Sequence, residues 1–96
     1  MQIIENWADV QGRIIEIKPH PKLQDFVVVR LQVSQVSPVR GYPNLFESTE
    51  GKAIDVNIPT ARAQTLSLRP GIVISGRVRK SNPTTAFVHP DLLSVR

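Results

Sequence analysis

Residues 10–18 read VQGRIIEIK, and this stretch decides how the chain is expected to fold. Alternate side chains of a β-strand point to the same side, so Gly12 and Ile14 share one side of the strand. Ile15 and Ile17 share the opposite side, and the buried side therefore changes between Ile14 and Ile15. A strand changes sides in this way where a β-bulge bends it, and a glycine relieves crowding at the bend. The stretch predicts a long, bent first strand.

Three further segments alternate between apolar and polar residues, which is typical of strands with one buried side. In the third strand, Asp55 and Asn57 are predicted to face outward. Pro59 cannot donate a ladder hydrogen bond, so we expect this strand to end there. Pro70 and Gly71 form a turn signal that leads into the fourth strand. The three segments are residues 25–36, residues 52–58 and residues 71–79.

The remaining elements are a short helix and a last strand. Residues 60–68 show no strand alternation, and Thr60 is a usable N-cap for a helix of about two turns. Residues 86–88 predict a short last strand, which residues 91–95 continue after a break at Pro90. Short strands separated by turns predict an all-β barrel or sandwich.

Length and composition predict one small soluble domain over residues 1–96. No apolar run approaches the roughly 20 residues that span a bilayer, and the acidic N-terminus is unlike a signal peptide. We therefore predict no membrane association and, by default, a cytoplasmic location. The chain has no cysteine, which excludes a disulfide framework, a thiolate nucleophile and a cysteine-based zinc site.

The sequence lacks the residue patterns of common catalytic sites. His20 and His89 are the only histidines, each stands next to a proline, and neither belongs to a metal-binding spacing. There is no phosphate-binding glycine loop, no G-x-S-x-G and no carboxylate pair with an evident pocket. We therefore predict a protein that is not an enzyme and that needs no cofactor or metal.

Charge is distributed unevenly along the chain. Residues 1–50 contain five Lys or Arg and six Asp or Glu, whereas residues 51–96 contain seven and two. A basic half of this kind favours a polyanionic partner such as nucleic acid. Small basic proteins that bind no nucleic acid can have the same numbers of Lys, Arg, Asp and Glu. Charge alone therefore does not decide whether this protein has a polyanionic partner.

In its layout the chain resembles the OB-fold (oligonucleotide/oligosaccharide-binding) family. That family has a glycine or bulge in a curved first strand, and Gly12 with the change of sides at Ile14 and Ile15 matches this feature. It has a helix between strands three and four, as residues 60–68 predict, and a turn-led fourth strand, as in GIVISGRVR at residues 71–79. The resemblance implies an all-β, small five-stranded OB-type Greek-key barrel with one short helix between strands three and four.

Two other families share part of this layout. An SH3-like barrel is also small and all-β, but it does not call for a helix at residues 60–67. An oxyanion-binding module of the TOBE type, itself similar to the OB-fold, is suggested by LSLRPGIVISGRVRKS at residues 66–81. Under that interpretation the partner is a small anion such as molybdate, sulfate or phosphate.

The resemblance to the OB-fold also implies a binding surface on strands two and three and on two flanking loops. Aromatic side chains stack on bases there, and cations neutralise phosphates. This implies a non-enzymatic protein that binds single-stranded or structured DNA or RNA with little sequence preference. Carried over by position, the candidate nucleic-acid-binding residues are Lys22, Phe26, Arg30, Arg77, Arg79 and Lys80.

A second interpretation is a protein–protein interaction module, either a subunit of a larger complex or a homo-oligomer. The chain has only five aromatic residues, and Asp55 lies on the predicted binding face, where it would repel phosphate. Independently of a protein partner, Phe26 has the alternative interpretation that it caps the open end of a barrel. The outward-facing Arg77 and Arg79 have the alternative interpretation that they protect a sheet edge from aggregation.

The other four aromatic residues also have more than one interpretation. Trp7 and Phe87 are expected in the core. Residues 37–51 contain four proline or glycine residues and predict a loop, which carries Tyr42 and Phe46. These two side chains either contact a partner or fold back over the barrel.

Overall fold

The computed structural model describes residues 4–96 of the chain. Mostly β structure was predicted from the sequence, and this is confirmed, with five strands in one sheet and one short α-helix. A single turn of 3₁₀ helix lies at Glu47–Thr49. The other elements, in chain order, are β1 (Ala8–Pro19), β2 (Phe26–Pro38), β3 (Ala53–Pro59), α1 (Thr60–Thr65), β4 (Val73–Asn82) and β5 (Thr85–Val95).

The hydrogen-bonded order of the strands is β1-β2-β3-β5-β4, and β4 pairs again with β1, so the sheet closes on itself. All neighbouring strands are antiparallel except β3 and β5, which are parallel. Between Val73 and Val78, β4 has β1 on one side and β5 on the other, so this part of β4 is not a sheet edge. The interpretation that Arg77 protects an exposed sheet edge is therefore wrong. Arg79 lies one residue beyond the last pair of β1 with β4, Ala8–Val78.

The predicted bend in β1 is confirmed. The pairing of β1 with β2 shifts register between Gln11 and Gly12 and again between Ile14 and Glu16. Ile15 is the extra residue at the second shift. Its side chain is 46% exposed, so it does not join the core as the alternation suggested. The side of β1 that faces the core thus changes at the predicted place. The change occurs because Ile15 is an extra, bulged residue whose side chain faces solvent.

Glycine is needed at position 12 because β1 and β2 approach each other closely there. A Cβ atom on Gly12 would lie 2.5 Å from the carbonyl oxygen of Gln32 and 2.8 Å from Cγ of Leu31. Both distances are shorter than van der Waals contact, and a packed interior has no room to absorb the overlap. The bend that the sequence predicts therefore depends on the absence of a side chain at this residue.

The core lies inside the closed sheet. The inward positions predicted for β2 are confirmed, since Val29, Leu31 and Val33 are buried. Phe46, from the loop between β2 and β3, is the largest fully buried side chain among residues 4–96. It folds back over the core, as one interpretation of its loop predicted, whereas Tyr42 in the same loop is exposed.

The helix α1 is shorter than predicted and begins differently. Pro59 is its N-cap and no side chain caps it, so the predicted role of Thr60 as N-cap is wrong. The helix ends because Ser67 adopts a left-handed backbone with a φ of 51°. The N–H of Leu68 then donates back to the carbonyl of Ala63 at 2.9 Å, a pattern that terminates helices.

The strand β5 continues through Pro90, so the predicted break at this residue is wrong. The pairing of β5 with β4 shifts register between the pair Val78–Val88 and the pair Gly76–Leu93. The extra residues of β5 form a bulge that contains Pro90. A proline donates no ladder hydrogen bond, and a bulge is one of the places in a sheet that accommodates it.

The described chain is compact. Its Cα radius of gyration is 12.3 Å, close to the value of about 12.5 Å expected for a compact chain of this length. Across residues 4–96, no helix has the length and apolar character needed to cross a membrane.

Candidate functional site

Four side chains form a row across four neighbouring strands. Val28 on β2 lies opposite Asn57 on β3. Asn57 lies beside Phe87 on β5, and Phe87 lies opposite Arg79 on β4. Paired residues of adjacent strands share a face of the sheet, so the row lies on the outer surface. It extends the face predicted for strands two and three onto β5 and β4.

At one end of this row Phe26, Phe87 and Arg79 meet, and we call these three residues the aromatic platform. The rings of Phe26 and Phe87 are edge to face, with centroids 5.6 Å apart and an interplanar angle of 87°. The guanidinium carbon of Arg79 lies 5.6 Å from the Phe87 ring centroid, within the range of a cation–π contact. Both rings are half-buried and Arg79 is exposed. The platform therefore presents aromatic surface and a cation together.

Two expectations about this face are corrected. Phe87 was expected in the core, but it is half-buried on the outer face, while its neighbours Ala86 and Val88 are buried. Asn57 was expected to be exposed, but only 7% of it is exposed, because Val28 and Phe87 flank it in the row. The face is thus more apolar than its sequence suggests.

Arg30 lies on the same outer face but between two acids. Its cross-strand partner on β1 is Glu16, and its partner on β3 is Asp55. All three side chains are exposed, and opposite charges in these positions attract each other. With two carboxylates beside one guanidinium, this part of the face does not attract phosphate.

Arg77 is engaged in an ion pair. Its Nε donates to Oδ1 of Asp9 at 2.9 Å and its Nη2 donates to Oδ2 at 3.2 Å. Asp9 and Arg77 are cross-strand partners on β1 and β4, which holds the two groups in register. These hydrogen bonds to Asp9 raise the pKa of Arg77 above its usual value, whereas desolvation opposes the rise. A phosphate would therefore have to compete with Asp9 for this guanidinium.

Lys80 points away from the aromatic platform. It pairs with Ala86, which is buried, and its Nζ lies 5.4 Å from the ring centroid of Phe46. The side chain of Asn6 fixes its backbone, accepting from the Lys80 N–H at 2.8 Å and donating to the Lys80 carbonyl at 2.9 Å. The structure thus separates Lys80 from Arg79, although the two are adjacent in sequence.

Lys22 is exposed in the loop between β1 and β2. Nδ1 of His20 accepts from the backbone N–H of Lys22 at 3.0 Å and from that of Leu23 at 2.9 Å, which folds the loop tightly. The N–H of Phe26 donates to the carbonyl of Leu23 at 3.2 Å, so the loop leads directly into the platform. Among the predicted cations, Arg77 forms an ion pair, Arg30 lies opposite an acid on each neighbouring strand, and Lys80 has its Nζ near the ring of Phe46. Within the described chain, Lys22 and Arg79 have none of these contacts.

A second exposed surface lies where β1, β4 and β5 meet the long loop. Trp7 is half-buried, and its ring centroid lies 5.7 Å from that of His89. Tyr42 and Leu92 are 41% and 46% exposed beside them, around an open cavity of about 310 Å³. We call Trp7, Tyr42, His89 and Leu92 the Trp7 surface. Trp7 was expected in the core, and it is instead part of this surface.

No protein-family model matches the chain, and no curated protein sequence is significantly similar to it. The site is therefore defined by its geometry. Within the part of the chain that the structure describes, no three His, Asp or Glu side chains are grouped so as to hold a metal ion. The sequence identified Phe26, Arg79 and Lys22 as neighbours of the binding face but missed Phe87, because its parallel partner β3 is distant in sequence.

Proposed function

We propose that this protein is an OB-type barrel that binds single-stranded nucleic acid through the aromatic platform, and that it is not an enzyme. The observation that carries the proposal is the pair of outward-facing rings, Phe26 and Phe87, with the exposed guanidinium of Arg79 over one of them. Bases of any sequence stack on aromatic rings, and arginine adds both a cation–π contact and a phosphate contact.

The order of the elements supports the fold part of this proposal. The strand order β1-β2-β3-β5-β4, the bent β1 and the short helix between β3 and β4 agree with an OB-type Greek-key barrel. In that family the face of strands two and three and the loops beside it carry the ligand. The aromatic platform, which includes Phe26 of β2 and lies across β3, occupies this region.

Binding is expected to depend only moderately on salt, because few cations are available. Each phosphate of a single strand that is neutralised contributes about −0.7 to the slope of log K against log salt. Two cations, Arg79 and Lys22, predict a slope of about −1.4. All five predicted cations acting together would give about −3.5. Fluorescence anisotropy with a labelled eight-nucleotide strand across a salt series measures this slope.

The outcome that would refute the proposal is the absence of binding to any labelled strand at low salt. A slope near −3.5 would instead show that Arg77 and Lys80 leave their intramolecular contacts to reach phosphates. The matched variants are Arg79→Gln, which is expected to flatten the slope, and Arg69→Gln, which removes an exposed cation from the loop before β4 and is expected to leave it unchanged.

The Trp7 surface favours a second candidate function, an interaction module that binds another protein chain or a second copy of itself. Exposed Tyr42 and Leu92 beside Trp7 provide aromatic and apolar contact area of the kind enriched at protein interfaces. For self-association, sedimentation equilibrium of the wild type is expected to show a concentration-dependent dimer, and Tyr42→Ser with Leu92→Ser is expected to abolish it. A wild type that stays monomeric at all concentrations would exclude the self-associating form of this candidate.

A further inference from the structure

A cavity with both apolar and polar lining residues opens where β3 and β5 separate, and the apolar ones include Ile54 and Pro83. The two strands pair only at Val56–Ala86 and Asn57–Phe87, so the residues before these pairs diverge. The gap is a cavity of about 310 Å³, at the lower end of the size of small-ligand sites. Its lining includes Phe46, Asp55, Lys80, Thr84, Thr85 and Ala86.

Two opposite charges line this cavity without neutralising each other. Among residues 4–96, the ion pairs within 4.0 Å are Lys18–Glu16 and Arg77–Asp9, so Asp55 and Lys80 do not pair with each other or with another side chain at this distance. Lys80 is held apart because its Nζ lies over the ring of Phe46 and its backbone is bonded to Asn6. Arg30 lies opposite Asp55 on β2 but makes no ion pair with it within this distance either, so the cavity offers one strong acceptor and one strong donor.

The cavity and the aromatic platform are close enough for one short strand of nucleic acid. Asp55 precedes Asn57 by two residues on β3, so both project from the same outer face. Thr85 likewise precedes Phe87 by two residues on β5. The stacking surface and the cavity are therefore adjacent along two neighbouring strands, a separation of about 6.6 Å by strand geometry. This is comparable to the spacing between successive bases of an extended strand.

We propose that this cavity reads one base of the bound strand and prefers guanine, an inference that rests on the proposed nucleic-acid-binding function. An ionised carboxylate only accepts hydrogen bonds, and guanine presents two neighbouring N–H groups, N1–H and the N2 amino group, to such an acceptor. Lysine donates to O6 of guanine, the acceptor next to these donors. Thymine and uracil offer a single N–H between two carbonyl oxygens, which the carboxylate of Asp55 repels.

The proposal gives Asp55 a function that its charge alone argues against. A carboxylate on a phosphate-binding face repels phosphate and lowers the affinity for every sequence. In a protein without sequence preference it would only weaken binding. The same carboxylate becomes a source of discrimination if it lies opposite base donors. Cytosine and adenine each offer one amino group, so they are expected to rank between guanine and thymine.

The test uses four labelled strands of eight nucleotides, an all-thymine host in which one central position is guanine, cytosine, adenine or thymine. Anisotropy titrations at one low salt concentration are expected to give about tenfold tighter binding for the guanine strand than for the thymine strand. In Asp55→Ala this ratio is expected to fall to near one, while affinity for the thymine strand rises. The matched control is Glu16→Ala, which removes the other acid beside Arg30 but lies outside the cavity. It is expected to raise affinity for all four strands and to keep the ratio.

Equal binding of all four strands by the wild type would overturn the guanine preference and leave the proposed function intact. A preference that persists in Asp55→Ala would also overturn it, because the carboxylate would then not be the reading group. If no strand binds, the proposed function itself fails. Circular dichroism of each variant confirms that the fold is retained, and since Asp55 is exposed its removal is expected to leave the fold unchanged.

Discussion

The double variant Phe26→Leu with Phe87→Leu is expected to bind a short single strand at least about 30-fold more weakly than the wild type. Stacking of one base on an aromatic side chain contributes about 1–3 kcal/mol, so two lost rings remove about 2 kcal/mol or more. Each 1.4 kcal/mol is a tenfold change in affinity, which gives about 30-fold as the lower limit. Leucine keeps most of the apolar volume and the half-buried position, but it removes the flat π-surface and the partner of Arg79.

The matched control is Tyr42→Leu, which makes the same aromatic-to-leucine change on the Trp7 surface. It is expected to change affinity by less than about twofold, since Tyr42 lies outside the aromatic platform. Urea denaturation of both variants checks that the folded fraction is the same under the binding conditions. Affinity within threefold of the wild type for the platform double variant would show that the two rings do not bind bases.

Much of the fold follows from local alternation. The four main strand segments and the helical segment were predicted at their observed places, because burial of one strand face imposes a period of two on the residues themselves. The bend in β1 was predicted for the same reason, since a bulge shifts the phase of the alternation at Ile14 and Ile15. The boundaries that were wrong, at Thr60 and Pro90, depend on capping geometry and on a bulge whose size is set by the partner strand.

The candidate site was only partly predictable, because its residues come from strands far apart in sequence. Phe26 could be assigned to the outer face from the alternation of β2 alone. Phe87 could not, since the short run at residues 86–88 has apolar residues on both faces and its partner β3 pairs in parallel over two residues. The distinction between Arg79 and Lys80 was available from the sequence, as adjacent strand residues face opposite sides.

Folding places some cations of one half of the sequence opposite acids of the other half. The strands of residues 1–50, β1 and β2, meet the strands of residues 51–96 at two places, between β2 and β3 and between β4 and β1. At both places a cation of one half lies opposite an acid of the other, as Arg30 does opposite Asp55. Arg77 of β4 pairs with Asp9 of β1, 68 residues away. A run of cations in a sequence therefore predicts a basic surface only if the neighbouring strands are neutral.

The variant Phe46→Ala is expected to lower the free energy of unfolding by about 3–5 kcal/mol. Phe46 is 1% exposed and comes from a loop rather than a strand, so no periodicity marks it as a core residue. Truncation removes a buried ring and leaves a cavity among strands that cannot collapse around it. For a chain of this size each kcal/mol corresponds to about 4–8 °C, so the midpoint of thermal unfolding is expected to fall by about 12 °C or more.

Urea denaturation of Phe46→Ala and of Tyr42→Ala separates this effect from a general weakness of the loop. Tyr42 lies in the same loop but is 41% exposed, and its truncation is expected to cost less than about 1 kcal/mol. Because Phe46 forms part of the lining of the cavity and lies under Lys80, its loss is also expected to release Lys80 and to reduce the guanine preference. A loss of stability below about 1 kcal/mol with an unchanged m-value would contradict the burial of Phe46. Phe46 would then not be a fixed part of the cavity lining, and its contact with Lys80 could not hold that side chain away from Asp55.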